Sequence, residues 1–183
     1  MHSLKRQYHP LARYNAAEIV YSRPQDEIPW YRLADIKARV DRWERPIALV
    51  NGGFDLLHAG HMRLIFAAAD HAKTVICALD SDAKIQRAKQ RSPILPWHMR
   101  ATALKFMPIT GVIEIDTDGD FLSLVRALRP DLRVLSTEYS GRSSRVPKVP
   151  TIYVANRGPH TSDIIQRCQQ LRPTESTEVV QCV

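Results

Sequence analysis

Two histidines stand three residues apart directly after a glycine-rich turn. They are His58 and His61 in the segment NGGFDLLHAGHMRL, residues 51–64. Because residues at i and i+3 are neighbours on a helical surface, both imidazoles can lie beside the same ligand. Imidazole nitrogens donate hydrogen bonds to phosphate oxygens and stabilise the charge that develops when a phosphorus atom is attacked. The spacing therefore predicts a site for a phosphate-containing ligand.

The residues around these histidines are rich in glycine. Gly52 and Gly53 let a bulky triphosphate approach the main chain, and Gly60 between the imidazoles keeps the turn tight. A turn that leads from a strand into a helix also presents free N–H groups, which attract anions. One histidine at a helix start is usually a surface or capping residue, but the pair after a Gly-Gly-Phe-Asp loop favours function. A zinc site is the alternative functional interpretation. Two histidines without a third ligand nearby do not match the ligand sets of typical zinc sites.

Strands and helices alternate around this segment. Helical patterns separate five short apolar runs, and residues 161–171 form a closing helix. The alternation predicts an α/β fold, a Rossmann-like doubly wound parallel sheet with flanking helices. In such a sheet ligands bind beyond the carboxyl ends of the strands, where the glycines lie. The predicted strands cover residues 47–51, 74–79, 111–115, 132–136 and 151–155.

The ends of the chain differ from this core. Residues 1–30 contain three prolines that break any long helix, and we interpret them as an N-terminal extension. Residues 31–172 form the predicted domain, and its first part, residues 31–43, has the pattern of an amphipathic helix. Residues 173–183 lack helical periodicity and are predicted to be a C-terminal tail.

Composition limits the class of protein. The chain has 183 residues, of which 44% are hydrophobic and 25% charged, as in ordinary globular proteins. No apolar run approaches the ~20 residues that cross a bilayer, so we expect no membrane partner and a cytoplasmic location. Three scattered cysteines indicate neither a disulfide framework nor a zinc site. The net charge of +7 suggests a polyanionic partner, but without a concentrated basic stripe we do not expect nucleic acid.

The segment GGFDLLHAGH resembles the GxFDxxHxGH signature of a nucleotidyltransferase superfamily. That superfamily includes glycerol-3-phosphate cytidylyltransferase and the adenylyltransferase domain of bifunctional heptose-phosphate enzymes. The likeness covers roughly residues 34–170, and HTSDIIQR at residues 160–167 resembles the second signature. It implies transfer of AMP or CMP from a nucleoside triphosphate to a small phosphate monoester, such as a sugar or polyol phosphate, with release of pyrophosphate.

The resemblance also implies roles for individual residues. His58 and His61 would stabilise the triphosphate in the transition state, and Lys89 would bind phosphate as a mobile point charge, although Arg87 and Arg91 compete for that role. Mg²⁺ would arrive with the triphosphate, and the sequence shows no ligand set for it. Besides a place in the nucleotide pocket, Asp55 has a second interpretation, in which it orients its own loop. The implied nucleotide-binding residues are Gly52, Gly53, Phe54, Asp55, Gly60, Arg100, Thr161 and Ser162.

Three parts of the sequence depart from the family pattern. Residues 136–138, Ser-Thr-Glu, replace a glycine-rich stretch, and His160 replaces the first serine of the second signature. Ala155 stands where cytidylyltransferases carry an arginine, which favours adenosine over cytidine. The alternative function is a catalytically weak relative that serves as a structural or regulatory subunit. A homodimer is compatible with the sequence and stays open.

Overall fold

The computed structural model describes residues 30–141, 146 and 148–171. Within them six parallel strands form one sheet in the order β1-β4-β3-β2-β5-β6, which confirms the predicted α/β class. Every apolar run predicted as a strand forms one, with ends that differ by at most one residue. The strands are β1 Trp30–Tyr31, β2 Ile47–Gly52, β3 Thr74–Asp80, β4 Gly111–Ile115, β5 Leu132–Ser136 and β6 Thr151–Val154.

Helices cover both faces of this sheet. On one face α2 and α4 pack over alternate strand residues such as Ala48 and Val50. On the other face α1 and α5 pack over Ile47 and Leu49. Both faces of the central strands are buried, which explains why their sequences are continuous apolar runs. The helices are α1 Ile36–Arg39, α2 Ala59–His71, α3 Asp82–Lys89, α4 Trp97–Leu104, α5 Asp118–Leu128 and α6 Thr161–Gln170.

The helix predicted over residues 31–43 is confirmed only in part, because helical turns cover residues 33–42 but are mostly 3₁₀ turns. Trp30 and Tyr31 instead form the edge strand β1, paired with β4. A 3₁₀ turn, the short α1 and a second 3₁₀ turn follow. The apolar spacing that suggested one helix is real, because Ile36 and Val40 are both buried, but pairing with the sheet edge satisfies the backbone at Tyr31 before a helix can begin.

The predicted extension and tail lie almost wholly outside the described residues. Trp30 is the exception, since it belongs to the sheet. Within the described part of the chain, no helix combines the length and apolarity needed to cross a membrane.

The chain changes direction across the sheet between β2 and β5. From β2 it continues through β3 to β4 on one side, and β5 and β6 then add on the other side. In open α/β sheets such a switch point leaves a crevice at the carboxyl ends of the strands, and ligands bind there. The glycine-rich turn leaves β2 at this crevice.

Candidate active site

A cleft of about 220 Å³ opens at the switch point. Its walls come from the loop after β2, the first turn of α2, the end of α3, the turn after β5 and the start of α6. The structure thus brings together residues that lie more than a hundred positions apart in the sequence. Of the predicted site residues, the cleft is lined by Gly52, Gly53, Phe54, Asp55, His58, Gly60, His61, Lys89, Thr161 and Ser162.

The loop between β2 and α2 is held in a strained shape. Phe54 and Leu56 have φ angles of 46° and 47°, in the left-handed region that residues with side chains rarely adopt. Such strain persists only where surrounding contacts over-determine it, and it is concentrated at functional sites.

Asp55 supplies those contacts. Its carboxylate, almost fully buried, accepts hydrogen bonds from the backbone N–H groups of Ile94 and Leu95 at 2.9 and 3.0 Å. Its carbonyl oxygen accepts a 2.8 Å bond from the hydroxyl of Thr161. Asp55 therefore orients its own loop, as the second interpretation predicts, and the Thr161 hydroxyl ties α6 to that loop instead of facing a phosphate. Ser162, on the same turn, is exposed at the cleft.

His58 caps the N-terminus of α2. Its Nδ1 accepts a hydrogen bond from the backbone N–H of Gly60 at 3.1 Å, so the tautomer assigned from this bond carries its proton on Nε2. Burial, followed by the charge of His160, lowers the pKa of His58 below its ordinary value. The ring is therefore a neutral imidazole whose Nε2–H can donate to an anion.

His61 lies deeper and stacks on His58. The two ring centroids are 3.8 Å apart with a 30° angle between the planes, and Phe54 packs against His61 at 5.1 Å. Burial first, and then the charges of His58 and Lys89, lower the pKa of His61 to about 3. Nδ1 is buried without a hydrogen-bond partner in the described chain, which leaves Nε2 as the nitrogen open to the cleft. Both histidines are thus neutral groups that are able to form hydrogen bonds.

The lowered pKa of His61 makes folding stability depend on pH. The unfolded chain takes up a proton on this ring below pH 6.5 and the folded chain does not until pH about 3, so the free energy of unfolding falls as the pH drops through this window. The slope contributed is at most about 1.4 kcal/mol per pH unit. Between pH 7 and pH 5 we expect the wild type to lose about 2 kcal/mol more than His61→Gln, measured by urea unfolding. Equal losses in the two proteins would contradict the burial argument.

Lys89 places a positive charge at the wall of the cleft. Its competitors are engaged elsewhere, because Arg87 pairs with Asp116 at 3.1 Å and Arg91 lies 3.6 Å from the carboxylate of Asp55. Lys89 ends α3, is exposed at the cleft wall and makes no ion pair with the described residues. Its ammonium group is therefore available to a bound phosphate.

Arg100 does not line the cleft, so its prediction as a nucleotide-binding residue needs correction. The side chain is fully buried and donates to the carbonyl oxygens of Gly53 and Leu95 and to the carboxylate of Asp82. A guanidinium without exposed surface cannot touch a ligand in the cleft. Arg100 instead positions the glycine-rich turn through its hydrogen bond to the carbonyl oxygen of Gly53.

Sequence reasoning missed a third histidine. His160 lines the cleft at the start of α6, with Nε2 3.3 Å from the carboxylate of Glu138 and 3.2 Å from the side-chain nitrogen of Asn156. Glu138 and His160 are two of the departures from the family pattern, and the fold places them in contact. In the sequence, the contact between Glu138 and His160 is indicated only by their departures from the family pattern. Because the two residues are far apart in the chain, neither departure alone predicts that they touch.

Neighbouring side chains leave little space for a Cβ atom at Gly60. A Cβ at this position would lie 2.8 Å from Oδ1 of Asn156 and 2.9 Å from the ring of His58. Both are movable side chains, so we expect Gly60→Ala to change stability by no more than about 1 kcal/mol but to displace the His58 ring and, in the nucleotidyl transfer that the resemblance implies, to lower the rate about tenfold or more. The matched control is Gly158→Ala, because a Cβ there meets nothing within 4 Å. Equal activity of the two variants in a pyrophosphate-release assay would show that the His58 position is not critical.

The fold and this cleft define a Rossmann-like protein with a histidine-lined cleft at its switch point. The chain belongs to the cytidylyltransferase-like family, whose model matches residues 49–143. The signature loop falls within the matched segment, whereas the cleft residues that come from the end of β6 and the start of α6 lie beyond it.

Two curated relatives extend the comparison. The chain is 33% identical over 130 residues to the bifunctional protein HldE of Campylobacter curvus, covering 69% of this chain and 28% of that protein. It is 31% identical over 163 residues to the bifunctional protein HldE of Wolinella succinogenes, covering 84% of this chain and 34% of that protein. The chain thus spans about a third or less of the length of these relatives.

A solved structure supports the fold alone. The lipopolysaccharide core biosynthesis protein from Thermoplasma volcanium GSS1 superposes with a TM-score of 0.50 at 16% sequence identity. The match covers 61% of this chain and 98% of that one.

Proposed function

We propose that the protein is a nucleotidyltransferase. A phosphate monoester attacks the α-phosphorus of a nucleoside triphosphate, a new P–O bond forms, and the bond to pyrophosphate breaks. The observation that carries this proposal is the stacked pair of neutral imidazoles, His58 and His61, at the start of α2 and at the switch point of the sheet. Membership of the cytidylyltransferase-like family supports the same chemistry.

The site would act by position and charge. Phosphoryl chemistry of this kind needs no covalent bond to the protein, so alignment and stabilisation of developing charge supply most of the rate. Nε2–H of His58 and Nε2 of His61 would hydrogen-bond to phosphate oxygens, and the mobile ammonium of Lys89 would neutralise part of the triphosphate charge. His160 and Ser162 at the N-terminus of α6 add polar groups where the helix also favours anions.

We favour ATP over CTP as the donor. Ala155 lines the cleft at the position where cytidylyltransferases carry an arginine, so this position offers no guanidinium to a cytidine nucleotide, although Arg157 is two residues away in the sequence. The acceptor class we propose is a sugar or polyol phosphate.

Mg²⁺ remains a prediction that comes from the triphosphate. In the described residues no group of three His, Cys, Asp or Glu side chains could hold a metal ion. The one carboxylate in the signature loop, Asp55, is occupied by two backbone N–H groups. These residues do not build a protein metal site, so the roles above involve only the chain's own groups.

The test is pyrophosphate release from purified protein with ATP or CTP and Mg²⁺, against a panel of sugar and polyol phosphates. We expect one nucleotide and acceptor pair to give turnover, with ATP preferred. Binding of nucleotide without turnover on any acceptor would instead favour the alternative of a catalytically weak structural or regulatory subunit. Equal rates with ATP and CTP would remove the preference that we draw from Ala155.

A further inference from the structure

Glu138 places a carboxylate at the wall of a cleft that we assign to phosphates. It lies in the turn after β5 and lines the same cleft as His58, His61 and Lys89. A carboxylate next to a phosphate weakens the binding of that phosphate, because like charges repel. In such a cleft the side chain is favourable only against a neutral part of a ligand. Its position therefore indicates where the uncharged part of a substrate would lie.

The side-chain contacts of Glu138 fall on one carboxylate oxygen. Oε1 accepts a hydrogen bond from the Ser136 hydroxyl at 3.0 Å and lies 3.3 Å from Nε2 of His160. In the described part of the chain no hydrogen bond or ion pair reaches Oε2, and the side chain is 42% exposed. Asp55, which also lines the cleft, instead has both oxygens bonded by backbone N–H groups. Oε2 of Glu138 is therefore available to a ligand.

His160 covers the other oxygen of Glu138. The contact with Oε1 assigns the ring proton to Nε2, which donates to the carboxylate. The side-chain nitrogen of Asn156 lies 3.4 and 3.2 Å from the two ring nitrogens, so it is aimed at neither of them. Because the ring occupies Oε1, a phosphate at the start of α6 meets this ring instead of a bare carboxylate oxygen. The two departures from the family pattern thus form one structural unit.

We propose that Glu138 determines substrate specificity by accepting hydrogen bonds from substrate hydroxyl groups at Oε2, and that His160 is the positioning residue that holds Oε1. An ionised carboxylate forms strong hydrogen bonds with hydroxyl groups, which a fully ionised phosphate does not offer. The hydroxyls belong either to the ribose of the nucleoside triphosphate or to the sugar or polyol of the acceptor. Both sources rest on the proposed nucleotidyl transfer, but binding to the ribose can be measured without turnover.

Titration with ATP and with its 2′-deoxy and 3′-deoxy forms tests the ribose as the source. Calorimetry in the presence of Mg²⁺ should show that the wild type binds ATP about tenfold or more tightly than at least one deoxy form, and that Glu138→Ala binds all three within about twofold. Asp41→Ala removes a carboxylate that is 81% exposed and lies outside the cleft, so it should keep the wild-type preference. A preference for ATP that persists in Glu138→Ala excludes the ribose as the source.

Kinetics test the acceptor as the source. The acceptor that gives turnover is compared with analogues that lack one hydroxyl group each. The wild type should prefer the complete acceptor over at least one analogue about tenfold or more in kcat/KM, and Glu138→Ala should lose this preference. If neither the ATP series nor the acceptor series depends on Glu138, the proposal is overturned. If no acceptor gives turnover, the proposed function fails, and the ATP titrations alone then support or overturn the role of Glu138.

Inorganic tripolyphosphate tests the role of His160, because this probe has the charge of the triphosphate but no sugar hydroxyls. His160→Ser should bind tripolyphosphate about three- to tenfold more weakly than the wild type, since the carboxylate is then left uncovered. Adding Glu138→Ala to His160→Ser should restore most of the affinity, whereas adding Asp41→Ala should not. Wild-type affinity in His160→Ser, or no recovery in the double variant with Glu138→Ala, overturns the role assigned to His160.

Thermal unfolding separates these roles from a structural one. The side chains of Glu138 and His160 are 42% and 48% exposed, so both single variants should keep melting temperatures within a few degrees of the wild type. If Glu138→Ala does not fold, Glu138→Gln takes its place in the titrations, because it keeps the shape of the side chain and removes the charge. An unchanged preference for the hydroxyl-bearing substrates in Glu138→Gln would then overturn the proposal.

Discussion

His61→Ala is expected to lower the rate of pyrophosphate release by about two to three orders of magnitude, the usual cost of removing one donor that stabilises transition-state charge. The ring is half-buried, stacked on His58 and neutral because partial burial lowers its pKa to about 3. A neutral imidazole held this firmly loses little entropy when the charge develops on phosphate. Because the charge is greatest in the transition state, the loss should fall on kcat more than on KM.

The control for this variant is on the same helix. His71, the last residue of α2, is exposed and hydrogen-bonds to the carbonyl oxygen of Ala67 at 2.8 Å. His71→Ala should retain wild-type turnover, and circular dichroism should show that both variants keep the fold. A fall of less than about tenfold in folded His61→Ala would remove His61 from the mechanism.

Arg100→Leu is expected to produce the largest loss of stability, about 3 kcal/mol. The substitution leaves the part-buried carbonyl oxygens of Gly53 and Leu95 without their donor and removes the partner of Asp82. Asp82 itself is partly exposed, so water screens the charge that remains and keeps the loss below that of a fully buried pair. In a domain of this size the melting temperature should fall by roughly 6–12 °C.

Arg126→Leu is the matched control, since this arginine is exposed on α5 and its replacement changes the net charge equally. Differential scanning calorimetry of the two variants compares them directly. Equal melting temperatures would mean that the glycine turn does not depend on Arg100.

The sheet was predictable because its signal is local. Residues 47–51 and 74–79 are apolar at almost every position and rich in β-branched side chains, which is typical of strands buried on both faces. The histidine pair was equally predictable from the sequence. His58 and His61 lie within one helical turn, so their spacing in the sequence already places them side by side.

The remaining features depend on contacts between distant residues. Trp30 and Tyr31 form a strand because β4 lies beside them, and the segment alone resembles the start of a helix. The contact of Glu138 with His160 and the burial of Arg100 behind Gly53 exist only after the strands are ordered across the sheet.

Tracing the α-phosphorus tests the central claim most directly. Wild-type protein is incubated with ATP labelled either at the α- or at the γ-phosphorus, Mg²⁺ and the acceptor that supports turnover, and the products are separated. We predict that the α label appears in a nucleotide-linked acceptor and the γ label in pyrophosphate. Transfer of the γ label to the acceptor, with the α label retained in ADP, would show phosphoryl transfer and contradict the assignment of the cleft to nucleotidyl transfer.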